Sequence, residues 1–389
     1  MGHLKRHKVR ARGLETPSHG SEAVSLSFVV LARNEAHVLE RTLVALRAGV
    51  GPGDCIHVVA DQSQDDTAEV ARRHADFVYV REEGGQPGKG PALRWWLEQT
   101  RNTPAAQQDV VVLDADSLLA PGFALAIRRR LGRGEPAIQA LIEPHIGAGG
   151  AIARLAALSE IVEQQVFDAW VARRKWPVRL RGTGMAFQRW ALERASPHLR
   201  TSVEDLELTL LLASARVLIT LATETRVIDP KPASARGAVR QRARWLKGQM
   251  HLMSAHPRLV GLLLLQGPRG WALLSSALLK PKTLAVPATI LLTLLACLAV
   301  DRGFMAALPL AAAGVAWVVL DVIAVLCGLR LVEDRKKTFQ ALLISPVYLL
   351  LWLGSLVVAV SSRDPWLRAR RESRGRSKAG LIDVPHSTG

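Results

Sequence analysis

The apolar and polar positions follow two different patterns in the two parts of the chain. Over residues 25–258, short apolar runs rich in β-branched side chains alternate with segments at helical spacing. We predict strands at residues 25–32, 56–60, 77–80, 109–113 and 137–142, and helices at residues 35–47, 66–74 and 90–99. Strands that alternate with helices in this way predict an α/β domain with a mainly parallel, doubly wound sheet.

Long apolar runs dominate the part of the chain that follows. Residues 284–300 and 340–361 carry no charged side chain, and residues 304–329 carry only Asp321. Because about 20 apolar residues in a helix span the hydrocarbon core of a bilayer, we predict about three transmembrane spans within residues 283–362. The apolar stretch at 259–282 is interrupted by polar residues and prolines. It predicts amphipathic helices in the membrane interface, or alternatively one broken span.

The charge balance indicates an anionic partner. The chain has 51 Lys and Arg against 34 Asp and Glu, a formal charge of +17, which fits nucleic acid, anionic lipid or a phosphorylated substrate. Many basic residues lie in a predicted disordered arm at 1–24, in the tail at 363–389 and near the apolar runs, which favours membrane lipids and predicts no nucleic acid partner. Three cysteines exclude a disulfide scaffold and a four-cysteine zinc site.

The N-terminal sequence bears on location. No apolar stretch follows the basic N-terminal residues, so we predict no signal sequence and a cytoplasmic catalytic half.

Polar residues follow the first two predicted strands. The first strand runs into Ala32-Arg33-Asn34-Glu35, and the second runs into Asp61. Ligands of such sheets bind beyond the carboxyl ends of the strands, so we assign Asp61 to a base or ribose and Asp66 to the cap of the next helix. The Gly-rich loop at 84–90 carries Lys89 and suits phosphate. Neither a Rossmann fingerprint nor a P-loop motif is present in the sequence.

The strongest local signal is the pair Asp114 and Asp116. An apolar strand runs straight into Asp114-Ala115-Asp116. Two carboxylates two residues apart at a strand end can meet one divalent cation, Mg²⁺ or Mn²⁺, that bridges to a diphosphate and neutralises a leaving group.

Three later motifs each allow two interpretations. The segment 181–187, RGTGMAF, fits a backbone wall beside a substrate or a tight hairpin. Glu204 and Asp205 open an amphipathic helix that Ser202 can cap, and they suit either the helix macrodipole or a general base. In the segment 241–245, QRARW, an arginine and a tryptophan suit a phosphate and a sugar ring, or else a basic interfacial helix.

Taken in order, ARNE, the Asp of ADQSQDDTA, GKGPAL, DAD, GTGMAF, VED and QRARW resemble the family 2 glycosyltransferases, which have a GT-A catalytic fold. The resemblance covers roughly residues 25–250 and is of the D, DxD, ED, QxxRW type found in cellulose-synthase-like and ceramide-glucosyltransferase-like members. It implies that Asp205 is the general base and that Asp116 binds the metal. For the nucleotide sugar it implies Ala32, Glu35, Asp61, Lys89, Asp114 and Arg244. For the acceptor and diphosphate site it implies Gly182, Thr183, Gly184, Glu204, Gln241 and Trp245.

The expected function follows from the resemblance and the apolar runs. We expect a membrane-bound inverting glycosyltransferase of the inner (plasma) membrane, with its catalytic domain in the cytoplasm. It would move a sugar from a nucleotide-diphosphate sugar to a lipid-linked or glycan acceptor in glycolipid or exopolysaccharide biosynthesis. We expect the donor to be a UDP-sugar. The alternatives are a processive polysaccharide synthase subunit with assembly partners, and a non-catalytic sugar-nucleotide-binding membrane protein. About three spans argue against a self-contained polymer channel.

Overall fold

The structure is a computed structural model that describes residues 24–82, 85–146, 150–230, 235–278 and 282–362. The predicted basic arm, except Val24, and the basic tail lie outside these residues. The strands are β1 (Leu26–Ala32), β2 (Cys55–Asp61), β3 (Phe77–Arg81), β4 (Asp109–Asp114), β5 (Leu118–Leu119), β6 (Ala137–His145), β7 (Met185–Phe187) and β8 (Ile219–Pro230).

Helices cover both faces of the sheet, and after α9 the chain continues with helices only. The helices of the α/β part are α1 (Ala36–Gly49), α2 (Thr67–His74), α3 (Lys89–Gln99), α4 (Phe123–Gly132), α5 (Ala151–Ile161), α6 (Ala169–Arg173), α7 (Arg189–Ala195), α8 (Glu204–Ser214) and α9 (Ala235–Ala255). A π-helical segment, Val162–Asp168, joins α5 to α6. The remaining helices are α10 (Pro257–Leu264), α11 (Pro268–Leu278), α12 (Lys282–Asp301), α13 (Leu308–Leu331), α14 (Arg335–Leu342) and α15 (Ser345–Ser361).

All eight strands form one sheet in the order β3-β2-β1-β4-β7-β6-β8-β5. The pairs among β1, β2, β3 and β4 are parallel, as predicted. Beyond β4 the sheet is mixed, because β7 runs antiparallel to both β4 and β6 while β6 and β8 are parallel. The α/β prediction is confirmed, but β5, β7 and β8 are additional strands. β5 and β7 have two and three residues, too few for a periodic pattern.

The core lies on both faces of the sheet. All seven residues of β1 are buried. Alternate side chains point to opposite faces, so Val29 packs with Trp96 of α3 on one side while Phe28 packs with Leu39 and Ile127 of α1 and α4 on the other. Because helices cover both faces of the sheet, both sets of side chains on the central strands are buried, and the sequences of these strands are continuous apolar runs. The same covering also leaves the carboxyl ends of the strands as the place where polar residues can gather.

The three apolar runs near the C-terminus form α12, α13 and α15. By length and composition, one helix, Met305–Leu331, could cross a membrane, and α14 with α15 could make a second span broken by a 64° bend. The apolar part of α12, Val286–Asp301, is shorter. Helices therefore stand where they were predicted, and the number of spans stays a prediction. The predicted interfacial stretch forms α10 and α11, with Trp271 57% exposed.

A buried histidine in β2 sits among aromatic rings. His57 is 1% exposed, stacks on Phe77 and Tyr79 at centroid distances of 5.0 and 5.9 Å, and meets Trp96 edge-on at 5.3 Å. Within the described part of the chain, neither ring nitrogen has a hydrogen-bond partner. Burial lowers the pKa of His57 from 6.5 to about 4, because an imidazolium could not be solvated there.

This histidine makes stability depend on pH. The unfolded chain takes up a proton at His57 near pH 6.5 and the folded protein only near pH 4, so stability present above pH 6.5 is lost as the pH falls between these values. Between pH 7.5 and pH 5 we expect a loss of about 2 kcal/mol from this group. Thermal unfolding of the wild type and of His57→Phe, measured at both pH values, checks this. Phenylalanine cannot titrate, so its unfolding midpoint should fall less. An equal fall in both proteins would contradict the assignment.

Candidate active site

The loops that follow β1 and β2 form one rim at the carboxyl edge of the sheet. Asn34 has a left-handed backbone, with φ 54°. Its side-chain oxygen accepts a hydrogen bond from the Gln64 backbone N–H at 2.7 Å, and its own N–H donates to Ser63 Oγ at 3.1 Å. The Glu35 N–H donates to Thr67 Oγ1 at 2.9 Å. The ARNE segment is thus hydrogen-bonded to the loop that follows β2.

The cap of α2 differs from the prediction. Asp66 stands at the N-cap position, but its side chain makes no capping hydrogen bond. Asp65 does this work instead: its carboxylate accepts from the Thr67 N–H at 3.1 Å and from the Ala36 N–H at 3.2 Å. Two adjacent aspartates are equivalent as cap candidates in a sequence, and the backbone geometry selects one.

Asp61 at the end of β2 is 3% exposed and is bound by the protein itself. Its two carboxylate oxygens accept from Arg81 Nε at 2.8 Å and from the Gly88 N–H at 2.7 Å. Arg81 also donates to the Gln86 carbonyl at 2.9 Å. Asp61 therefore fixes the Gly-rich loop that carries Lys89.

Three sequence motifs meet at the end of β4. The Lys89 ammonium makes an ion pair with Asp114. The Asp114 N–H donates to Thr183 Oγ1 at 3.1 Å, and Thr183 Oγ1 also hydrogen-bonds Ser117 Oγ at 2.8 Å. Asp116 is half-buried two residues further on. The GKG, DAD and GTG segments, which are far apart in sequence, thus form one cluster.

The charges in this cluster shift one another. Burial would lower the pKa of Lys89, but the carboxylates of Asp114 and Glu204 outweigh it and raise that pKa, so the lysine stays a cation. Burial raises the pKa of Asp114; Lys89 opposes this shift, and Asp116 and Asp229 add to it. Asp229 lies in β8 near its end. It would have been a candidate had the strand pattern at 219–230 been recognised.

Glu204 and Asp205 begin α8 on the same side of this cluster. A Cβ placed on Gly182 would lie 3.8 Å from Lys89 Nζ, 3.9 Å from Asp205 Oδ2 and 4.0 Å from Glu204 Oε1, so all three charged ends face this glycine. Burial raises the pKa of Glu204 to about 7, with Lys89 opposing and Asp205 adding to the shift. The predicted cap is wrong: Val203 is the N-cap residue, and among the described residues Ser202 Oγ has no hydrogen-bond partner.

The GTG loop needs its glycines. Gly182 and Gly184 have φ values of +86° and +62°, and a Cβ on Gly184 would lie 2.7 Å from Val227 Cγ2. The buried side chain of Gln139 in β6 holds the loop, since it accepts from the Arg181 N–H at 2.8 Å and donates to the Thr183 carbonyl at 3.0 Å. A polar residue inside the apolar run 137–142 is the signal that could have pointed to this contact.

Arg181 anchors the start of the same loop. Its guanidinium donates to Glu160 at 2.9 Å, to Glu163 at 3.4 Å and to Asp168 at 2.5 Å. Burial would lower the pKa of Arg181, and these three acids outweigh burial and raise it. The acids lie on α5 and on the π-helical segment, in a part of the chain where no motif pointed to a role.

Helix α9 carries the last predicted residues, Gln241, Arg244 and Trp245, and the structure relates one of them, Arg244, to the cluster. The Arg244 charge acts on Lys89, whose pKa it lowers, so the two cations lie near each other. Trp245 is 42% exposed, and Gln241 is half-buried. Further along α9, Gly248 packs directly against Val203, where a Cβ would have no room. Helix α9 is therefore fixed against the segment that precedes Glu204.

The donor set fits a divalent cation that binds together with a diphosphate. In residues 24–82, 85–146, 150–230, 235–278 and 282–362, no group of three or more His, Cys, Asp or Glu side chains could hold a metal ion. The strand end offers the pair Asp114 and Asp116, and Mg²⁺ is commonly bound by one or two carboxylates plus substrate phosphates. Lys89 and Arg244 nearby suit the remaining phosphate charge.

The mainly parallel sheet, covered by helices on both faces, agrees with the GT-A fold expected from the sequence. The sequence model of the family described as "Glycosyltransferase like family 2" matches residues 23–248, more than half of the chain, and the chain belongs to this family. The predicted fold class and the predicted enzyme class are confirmed.

Two solved structures illustrate what this chain is similar to. A mannosyltransferase from Pyrobaculum calidifontis in complex with GDP-Man and Mn²⁺ is 19% identical, with 87% of this chain and 88% of that chain covered and a TM-score of 0.47. Glucosyl-3-phosphoglycerate synthase from Mycobacterium tuberculosis, in complex with Mn²⁺, UDP and glucosyl-3-phosphoglycerate, is 23% identical, with 51% and 70% covered and a TM-score of 0.37. No curated protein matches the sequence.

Proposed function

We propose that this glycosyltransferase is membrane-bound and inverting, and that it moves a sugar from a nucleotide-diphosphate sugar to a lipid-linked or glycan acceptor. The observation that carries the proposal is that Lys89, Glu204 and Asp205 meet beside Gly182, with Asp114 paired to Lys89. It places a cation for a diphosphate and carboxylates for a proton in one half-buried cluster at the carboxyl edge of the sheet.

The donor would lie across this edge. The rim at Ala32 and Glu35 would meet the base and ribose, with Asp61 behind it holding Arg81 and the Gly88 N–H, and Lys89 and Arg244 would pair with the diphosphate. Asp114 and Asp116 would hold Mg²⁺ or Mn²⁺. When bound there, the cation neutralises charge on the leaving diphosphate. UDP is the nucleotide we expect, on the resemblance described above.

Asp205 is the proposed general base. Its carboxylate takes the proton of the acceptor hydroxyl, and that oxygen forms a bond to the anomeric carbon on the face opposite the nucleotide. The bond between this carbon and the phosphate oxygen breaks, and its electron pair leaves with the diphosphate beside Lys89 and Arg244. One displacement of this kind inverts the anomeric configuration. The GTG backbone, Glu204, Gln241 and Trp245 would border the acceptor and diphosphate site.

The helices after α9 support a membrane location and an acceptor of lipid origin. Large apolar side chains on α13 and α15 are exposed, for example Leu310 at 63%, Leu320 at 61% and Val360 at 68%. Exposed apolar surface on this scale indicates a membrane or a partner. A site held against the cytoplasmic face of the inner membrane suits glycolipid or exopolysaccharide assembly. The QRARW motif favours the second candidate, a processive synthase subunit, and the small number of apolar helices argues against a self-contained channel.

The first experiment is a donor screen with the purified full chain in detergent. UDP- and GDP-sugars are incubated with Mg²⁺, Mn²⁺ or EDTA, and the released nucleoside diphosphate is measured with and without inner-membrane lipid extract. We expect cation-dependent release from one donor, increased by lipid. Binding of a nucleoside diphosphate without turnover under any condition would support a binding protein instead. No turnover combined with no cation-dependent nucleotide binding would refute the proposal.

A further inference from the structure

An arginine inside the QRARW segment faces the apolar C-terminal helices instead of the diphosphate cluster. Arg242 is 4% exposed. Its guanidinium carbon lies 4.7 Å from the ring centroid of Tyr348 and 5.0 Å from that of Trp352, both on α15. Its Nη2 donates a hydrogen bond to the Tyr348 hydroxyl at 2.9 Å. One contact of α9 with α15 is thus a cation beside two aromatic side chains.

Burying the charge of Arg242 costs free energy of folding. In the described ranges Arg242 has no ion pair with a carboxylate, and Nη1 has no hydrogen-bond partner. The cluster around it is apolar and includes Leu155, Leu246 and Ala341. Removing a charge from water costs several kcal/mol, and two cation–π contacts and one charge-assisted hydrogen bond, at about 2 kcal/mol each, roughly offset that cost. A well-packed apolar side chain of similar volume would be about as stable here, so a gain in stability is a weak reason for an arginine at this position.

Arg242 constrains the orientation of α9 relative to α15. A planar guanidinium that contacts two rings and donates a hydrogen bond to one of them accepts few orientations, unlike an apolar contact. It therefore fixes the rotation of α9 about its axis relative to α15. A second contact supports the same pairing, since the Lys247 ammonium donates to the Ser362 carbonyl at the end of α15. On the other side, Gly248 fixes α9 against Val203.

The orientation of α9 matters for the site. Gln241 precedes Arg242, and Arg244 and Trp245 follow it by two and three residues, within one helical turn. A rotation of α9 by about 10° would move the end of a long side chain by roughly 1 Å. A displacement of about 1 Å in a catalytic constellation can cost about 10²-fold in rate.

We propose that Arg242 is a positioning residue: clamped by Tyr348 and Trp352, it sets the orientation in which α9 presents Arg244 and Trp245 to the substrates. In this proposal the apolar helix α15 supports the transfer site through Tyr348 and Trp352, in addition to its proposed role in the membrane. This inference rests on the proposed glycosyl transfer and names a residue outside the predicted site set.

The test uses full-length protein in detergent with the donor identified by the screen. Tyr348→Phe removes only the hydroxyl, and Arg242→Lys keeps the charge without the planar fork. Arg240→Lys, the same change at an exposed position of α9, and Leu350→Ala, at a 64% exposed position of α15, are the matched controls. We measure kcat and KM, the Kd of the nucleoside diphosphate, and the unfolding midpoint.

We expect Arg242→Lys to lower kcat 10- to 100-fold and Tyr348→Phe to lower it several-fold, with the nucleotide Kd within twofold of wild type and both controls unchanged. Wild-type kcat in both variants of the clamp would overturn the inference alone. So would a loss of activity fully accounted for by unfolded protein, because that is the signature of a merely structural contact. A wild type inactive with every donor and acceptor would overturn the proposed function, and the inference with it.

Discussion

Asp205→Asn is expected to lower kcat for sugar transfer by about 10²- to 10⁴-fold, the range that a positioned general base contributes. The amide has the size of the carboxylate but cannot take the proton of the acceptor hydroxyl. Asp205 is half-buried at the first turn of α8, and its Oδ2 faces Gly182 beside Lys89. The fold and the nucleotide site should therefore survive the change. Transfer assays, together with titration of the nucleoside diphosphate by calorimetry, measure the two effects separately.

Glu204→Gln is the informative comparison for this prediction. The two acids are neighbours, both face the same glycine, and burial raises the pKa of Glu204 to about 7. If Glu204 were the base, the rate would fall as the pH drops through about 7, and Glu204→Gln would abolish transfer while Asp205→Asn kept it. That pattern would reverse the assignment. Loss of nucleotide binding in a folded Asp205→Asn protein would also contradict it.

Sequence patterns predicted the parts of the site that lie at the ends of regular strands. Asp61 and Asp114 close parallel strands whose carboxyl ends share one edge, so their approach follows from the topology. The positions of Thr183 and Glu204 followed only from the resemblance, because nothing local relates them to β4. The fold of the first four strands was predictable for the same reason, since each is a buried apolar run.

The contacts that were missed join segments far apart in sequence. Arg181 is held by Glu160, Glu163 and Asp168, whose spacing on α5 and the π-helical segment has no motif character. Arg242 and Tyr348 are separated by 106 positions. The apolar runs predicted that α13 and α15 would be helices, but their lack of a polar face gives no indication of which side packs on the catalytic domain. Such pairings depend on tertiary packing, which periodicity does not contain.

Asp116→Asn is expected to lower kcat by several orders of magnitude and to remove most of the cation dependence of nucleotide binding. Stabilising the charge on a leaving group contributes several kcal/mol, and each 1.36 kcal/mol is about a factor of 10 in rate. The resemblance assigns the cation to Asp116 and the nucleotide side to Asp114, which pairs with Lys89, so Asp116→Asn is the variant that tests the metal assignment. Activity and nucleoside diphosphate affinity, each titrated with Mn²⁺, are the measurements.

The nucleotide binding that remains in Asp116→Asn distinguishes the charge neutralised by the divalent cation from the charge neutralised by Lys89 and Arg244. Lys89 and Arg244 remain, and burial does not remove the charge of Lys89 because Asp114 and Glu204 raise its pKa. Weak, cation-independent binding of the diphosphate should therefore persist in Asp116→Asn. Adding Lys89→Met to this variant should abolish that residual binding. Glu69→Gln, the same acid-to-amide change on the exposed surface of α2, controls for the loss of one negative charge. If Asp116→Asn kept wild-type activity and the same Mn²⁺ dependence, the cation would have to be held elsewhere, and the assignment of the DAD motif would be wrong.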